Sequence, residues 1–482
     1  MGPSTSQVTV PSRVTAQSRD GRTFTFGATG APTYLPGDMV VVRAEDVTVL
    51  GQVLEAGAPP SSGAPADQPA TTVGTGMVIG TLDADGVLSR ASRPPFAPSP
   101  LTPAGPEELA GLQRSTAAGL TVGTWHTAGD RTTADLRAAG FNRHTFLCGQ
   151  SGSGKTYALG VLLERLILGT DLRVAVMDPN ADFVRLGETK DGTSGTDAAR
   201  LAERVRVLRS DSSRTEGTEP LRMRFRTMAR KAQAAVVQLD PLRDHDEYNA
   251  FITLLAQLGD VDLGVLIGTM KEGTAAEQRL ARRIENLGLP HWEVWAFDLP
   301  SAADVVTGGG GVTVMDLGGF GDQAEPLAVC LEVVDELWAQ RDRRVPTLLV
   351  IDEAHNLCST DPGNPVAQLL LDRLIQIAAE GRKYGLWLLL SSQRPSKIHP
   401  QILSQCDNLM LMRMNSPDDI AELGRVFGFA PQEMLRASTG FVQGEALLAG
   451  GFAPVPMLAT MRERLTHEGG TDVAVPVVPQ GS

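Results

Sequence analysis

The chain changes its hydrophobic rhythm once. Up to about residue 55, apolar and polar positions alternate in short runs, 7–14, 22–26, 38–43 and 47–55, divided by Gly, Pro and Asp turns. A period of two marks strands with one buried face, so residues 1–91 are predicted to form a small antiparallel barrel or sandwich that includes a further strand over 76–82. The stretch 56–73, AGAPPSSGAPADQPATTV, holds too few apolar side chains to pack and reads as a mobile loop inserted in that barrel. Six prolines between Ser92 and Pro106 mark residues 92–121 as a linker.

From about residue 122 short apolar runs alternate with longer segments of helical period: 144–148, a helix from Lys155, 173–177, 311–316, a helix over 325–341, 347–351, a helix over 366–384, and 386–391. Strands alternating with helices predict an α/β, mostly parallel, doubly wound sheet over 122–465, with ligands bound at the C-terminal ends of its strands. Residues 240–290 carry Phe251, Leu254, Leu255 and Leu258 at helical spacing and no strand signal, which predicts a helical insertion. Residues 466–482 are left as a C-terminal tail.

Composition narrows the class. Of 482 residues 42% are apolar and 21% charged, which excludes a disordered or fibrous chain. No apolar run approaches the roughly 18–20 residues of a membrane span, and MGPSTSQVTV has no basic stretch followed by an apolar one, so a cytoplasmic protein is expected. Cys148, Cys330, Cys358 and Cys406 stand far apart without a CxxC pair, so buried reduced thiols are expected rather than zinc or disulfides. A net charge of −13 would repel a polyanion unless cations were gathered on one surface.

The strongest chemical signal is Gly149-Gln150-Ser151-Gly152-Ser153-Gly154-Lys155-Thr156, which fits G-x-x-x-x-G-K-[ST] between an apolar strand and a helix. In such a loop the backbone N–H groups wrap the phosphates of ATP. Lys155 meets the β- and γ-phosphates, and the Thr156 hydroxyl can ligate Mg2+. An acidic partner stands at a strand end in TLLVI-Asp352-Glu353-Ala354-His355. There Asp352 would hold the Mg2+ through water and Glu353 would orient or deprotonate the attacking water. His355 suits a structural hydrogen bond as readily as a catalytic role. Gln393, ending the strand LLLSS, is a candidate sensor of the γ-phosphate. Arg143 and Arg382 could compensate phosphate charge, although on spacing alone each is as readily a surface ion pair. Arg222, Arg224, Arg226, Arg230 and Lys231 gather five cations within ten residues. They form either a solvated basic face or a phosphate-contacting patch without base stacking.

In order along the chain, FNRHTFLCGQSGSGKT, VMDPNADF, TLLVIDEAHN and EGRKYGLWLLLSSQRPSKIHPQILSQCDNLMLMRM resemble the HerA family of hexameric DNA translocases. The resemblance implies a RecA-like P-loop ATPase core and an N-terminal barrel of that family's HAS type. It further implies a homo-hexamer passing double-stranded DNA through a central channel and serving a separate nuclease or anti-phage effector. An alternative of a different class is a nucleotide-binding scaffold ring that assembles and regulates a defence effector enzyme. By the same resemblance Arg382 becomes the finger reaching a neighbour's nucleotide and Arg143 a second phosphate contact. After Asp178-Pro179 the chain departs from the family pattern, with Asn180-Ala181-Asp182-Phe183 in place of His-Gly-Glu-Tyr-like residues.

Overall fold

The computed structural model describes residues 14–29, 34–57, 71–91, 93–128, 131–259 and 261–470. The chain divides into two compact units, Met1–Gly140 with Leu409–Arg462, and Phe141–Asn408 with Glu463–Ser482. Among the described residues no single helix is long and apolar enough to cross a membrane. All four cysteines are free and buried.

In the first unit six antiparallel strands are hydrogen-bonded in the order Thr23–Thr29, Thr15–Ser18, Phe96–Pro103, Met39–Arg43, Thr48–Gly57, Thr71–Leu82, and the last returns to pair with the first. Closure removes the unpaired strand edges that would invite association. Phe24, Phe26, Val40, Val42, Val49 and Val53 fill the core. Phe24 fits because two glycines leave room for its ring: a Cβ on Gly76 would lie 2.0 Å from it and one on Gly51 2.6 Å. A separate antiparallel group in this unit joins Glu445–Gly450, Met457–Met461, Leu120–His126 and Thr132–Leu136.

Two expectations change here. The supposed linker 92–121 contains the barrel strand Phe96–Pro103, the helix Pro106–Ser115 and the start of the strand Leu120–His126. Pro98, Pro100 and Pro103 are all exposed while Phe96 and Leu101 are buried, so the prolines cost no core contact. The N–H of Leu101 still reaches the Val14 carbonyl. The compact units also divide at 140/141 and 408/409 rather than at residue 122. Most of the strand expected over 7–14, and residues 58–70 of the loop expected to be mobile, lie outside the described residues, as do residues 471–482 of the tail.

The second unit holds seven parallel strands in the order Glu219–Pro220, Val205–Arg209, Val312–Asp316, Arg173–Asp178, Thr347–Ile351, Leu386–Ser392, His144–Cys148. Val312–Asp316, Thr347–Ile351 and His144–Cys148 are buried along their whole length, as strands covered on both faces must be. Register pairs Cys148 with Ser392, Ile351 with Leu390 and Met177 with Ile351. The residues that follow these strands therefore share one edge. The insertion comprises three helices, His245–Leu258, Leu263–Glu272 and Ala275–Asn286.

Residues 463–470 are not a loose tail. Glu164, fully buried on the helix Lys155–Gly169, accepts hydrogen bonds from the Leu465 and Thr466 backbone N–H groups at 2.9 Å each and from the Thr466 hydroxyl at 2.6 Å. Arg464 lies 3.6 Å from the same carboxylate and over Gly160, where a Cβ would come within 2.5 Å of its guanidinium.

Gly76→Ala should destabilise the protein by about 1–3 kcal/mol through overpacking against Phe24. Urea unfolding monitors this, and an unchanged midpoint would mean that the ring has space to move.

Candidate active site

The loop Gly149–Thr156 leaves the buried strand His144–Cys148 and enters the helix Lys155–Gly169. Gly152 and Gly154 adopt φ of +72° and +91°, conformations that side chains with a Cβ resist, and Gly154 caps the helix. This backbone presents N–H groups at a helix N-terminus, the arrangement that binds phosphate. Ser153 is fully buried and its hydroxyl has no hydrogen-bond partner.

Lys155 is buried, and its ammonium donates to Asp352 Oδ1 at 3.2 Å, Glu353 Oε1 at 3.1 Å and Ser391 Oγ at 3.0 Å. Three acceptors use all three of its N–H donors. Gln393 Nε2 donates to the same Glu353 oxygen at 2.9 Å, and His355 Nδ1 lies 3.3 Å from the other. Burial alone would raise the pKa of Glu353, but the Lys155 charge and the Gln393 hydrogen bond outweigh it and hold the carboxyl below its ordinary value. Glu353 also has φ of +43°, a left-handed conformation that costs a residue with a side chain of order 1 kcal/mol. Such strain persists only where the surroundings enforce it. Burial lowers the pKa of His355, which favours a neutral ring beside Glu353.

Three features were not legible. Ser391 completes the Lys155 shell, and nothing in its sequence context distinguishes it from Ser392. Asp178 and Asp182 each place a carboxylate oxygen within 4.8 Å of an oxygen of Asp352. Burial pushes Asp178 up to about 7 and Asp182 up to about 6, with the Asp352 charge adding to both. The available signal was the DPNADF run itself. Asp352 Oδ2 is buried without a hydrogen-bond partner, and Thr156 follows Lys155 at the helix start. This all-oxygen donor set fits Mg2+.

Arg143 and Arg382 are brought to each other and not to Lys155. Both guanidiniums reach Asp407 Oδ2, at 3.5 Å and 2.6 Å. Between them His144 is locked in one tautomer: Nδ1 accepts from the Leu388 N–H at 2.9 Å and Nε2 donates to the Ala378 carbonyl at 3.0 Å. Burial, helped by the Arg382 charge, depresses the His144 pKa to about 4.

Leu221, Met223 and Phe225 are buried, so the arginines between them form an outward row. Each is engaged locally: Arg222 with Asp211 at 2.7 Å, Arg224 with Asp304 at 2.7 Å, Arg226 with Asp298 at 3.0 Å, and Arg230 with Gln233 at 3.0 Å. Carboxylates thus offset Arg222, Arg224 and Arg226, whereas the Gln233 amide beside Arg230 is uncharged and Lys231 is exposed.

Residues 120–288 match the family model described as "Helicase HerA, central domain". The chain is 23% identical over 408 residues to the DNA double-strand break repair helicase HerA of Sulfurisphaera tokodaii, an alignment covering 80% of this chain and 78% of that protein. The chain is thus similar to the HerA helicases over most of its length. A second HerA relative, from Methanocaldococcus jannaschii and named "Probable DNA double-strand break repair helicase HerA", is 30% identical over 130 residues, so the match spans 27% of this chain and 25% of that protein. Among solved structures, VirB4 of Thermoanaerobacter pseudethanolicus aligns with 72% of this chain and 96% of its own at a TM-score of 0.48 and 16% identity. The HerA-family match includes the Gly149–Thr156 loop, and the chain is a P-loop ATPase.

The Arg224 segment generates one pH prediction. Its backbone N–H donates to Glu332 Oε1 at 3.0 Å, and burial pushes that carboxyl up to about 8 from an ordinary 4.5. The folded pKa lies above the unfolded one, so ionisation opposes folding and stability falls as pH rises from about 4.5 to about 8. Glu332→Gln keeps the acceptor and removes the charge. It should therefore melt higher than the parent at pH 8 and equal it near pH 4.5, and equal melting points at both pH values would sink the assignment.

Proposed function

We propose that this P-loop ATPase is a member of the HerA family and an ATP-driven translocase of double-stranded DNA, working as a homo-hexamer with a separate nuclease or effector subunit. The observation that carries the reading is the placement of cations at opposite ends of one sheet. Lys155 and Glu353 follow the C-terminal ends of the strands His144–Cys148 and Thr347–Ile351, whereas Arg143 precedes the first of these strands and Arg382 precedes Leu386–Ser392. About 20 Å of extended chain separates the ends of such a strand. Arg143 and Arg382 are thus remote from their own chain's Lys155, and a nucleotide held there would gain their charge only from a neighbouring subunit. Repetition of that contact closes a ring. Support for duplex DNA comes from the relatives named DNA double-strand break repair helicases.

Phosphate oxygens replace the carboxylates around the Lys155 ammonium when ATP enters, releasing one oxygen of Glu353 while Gln393 keeps its hold. Glu353, ionised and oriented by Gln393 and His355, is then the base that positions the attacking water. The backbone of Ser151, Gly152, Ser153 and Gly154 donates to the phosphates, and Thr156 and Asp352 hold the Mg2+. When bound there, an Mg2+ would supply neutralisation of the charge that develops on phosphoryl transfer.

Lys155→Ala should abolish nucleotide binding. Glu353→Gln should bind ATP with parental affinity and lose at least about a hundredfold in kcat, read by single-turnover hydrolysis. Parental turnover by Glu353→Gln would reassign the base.

Subunit mixing tests the shared site. Arg382→Ala rings and Lys155→Ala rings should each be inactive, and mixed rings should regain part of the activity at boundaries that pair an intact Arg382 with an intact Lys155. Mixed rings, verified by mass, that stay as inactive as their parents would place Arg382 in a structural role. Linear duplex DNA should raise parental turnover, and a DNA-indifferent ATPase would remove the DNA half of the reading.

A further inference from the structure

The turn after the strand Arg173–Asp178 is held from both sides. Asp178 accepts the backbone N–H groups of Asp182 at 3.1 Å and Phe183 at 2.8 Å, so its two oxygens shape the turn. Ala181 takes the left-handed φ of +59° that this requires. On the other side the Gly469 N–H donates to the Asp182 carbonyl at 3.0 Å, and a Cβ on Gly469 would lie 1.8 Å from the Ala181 carbonyl oxygen. Phe183, wholly buried, pins the far end.

A rigid turn of this kind aims a side chain. Asp182 is delivered to Asp352, and oxygens of Asp178, Asp182 and Asp352 lie within 4.8 Å of one another. We propose that Asp182 is a ligand, beside Asp352, of the divalent cation that accompanies the nucleotide in this site. The proposal rests on the nucleotide-binding reading of the P-loop and not on DNA or ring formation.

Two independent observations support it. Asp352 Oδ2 is buried without a hydrogen-bond partner, an arrangement that costs free energy unless a cation or water meets it. The cations that act on Asp182 are also already engaged: Lys155 faces Asp352 and Glu353, and Arg464 lies against Glu164. A small hard cation takes oxygen ligands at about 2.1 Å, and one that bound Asp352 and Asp182 would reach Asp178 through a water. The P-loop motif and the strand-end Asp352-Glu353 pair supply Thr156 and Asp352 but give no reason for a carboxylate at residue 182.

The experiment uses the full chain with ADP and Mn2+ as the probe, and reads bound Mn2+ from the loss of the free-ion electron paramagnetic resonance signal. Asp182→Asn should weaken Mn2+ roughly tenfold or more, and Asp182→Glu should restore most of that loss. ADP affinity in EDTA should match the parent for both, which separates this outcome from a failed nucleotide site. Without metal, Asp182→Asn should melt above the parent because a like charge is gone, and Mg2+ with ADP should stabilise it less than the parent. The proposal is overturned by Asp182→Asn binding Mn2+ within about twofold of the parent, by Asp182→Glu binding no better than Asp182→Asn, or by a metal-free Asp182→Asn that melts lower or fails to fold.

Discussion

A single ammonium group organises the nucleotide unit. Lys155 Nζ is shared by oxygens of Asp352, Glu353 and Ser391, which arrive from the ends of two different strands. That convergence exists only because parallel pairing sets Cys148 beside Ser392 and Leu390 beside Ile351. A shift of one residue along Leu386–Ser392 would turn Ser391 to the opposite face and break the group. The left-handed Glu353 is tolerated within the same frame, because Lys155 and Gln393 hold its carboxylate from two directions. Strain, burial and charge at the site are thus consequences of register.

The parallel unit was largely legible because its central strands are mainly apolar and its punctuation is strong. Gly149–Thr156 and the Asp352-Glu353 pair follow their strands directly, so locating the strands located the chemistry. The barrel was legible in its alternation, yet its closing strand was not. Phe96–Pro103 looks like a linker by composition, although its three prolines are exposed and Phe96 and Leu101 are buried in the barrel. Val205–Arg209 and Glu219–Pro220 also escaped notice, being short and rich in charge.

Side-chain partners were the least legible. The arginines from Arg222 to Arg230 form a run of charge in one dimension, but in three dimensions carboxylates far along the chain meet them, such as Asp304 and Asp298. Arg143 and Arg382, far apart in sequence, converge on Asp407. Proximity of like charges in sequence therefore says little about the field they produce, whereas a strand end followed by Gly-Lys-Thr says a great deal.

The strap over the nucleotide-binding helix has a consequence for how the protein is made. Glu164 lies on that helix, and the groups that satisfy it, at Arg464, Leu465 and Thr466, are translated some three hundred residues later. Until they leave the ribosome, the helix carries a carboxylate that it cannot bury without a partner, a burden of several kcal/mol. The site for ATP is therefore completed late in synthesis. A nascent chain, or one cleaved before Arg464, would keep that helix insecurely seated and exposed to proteases.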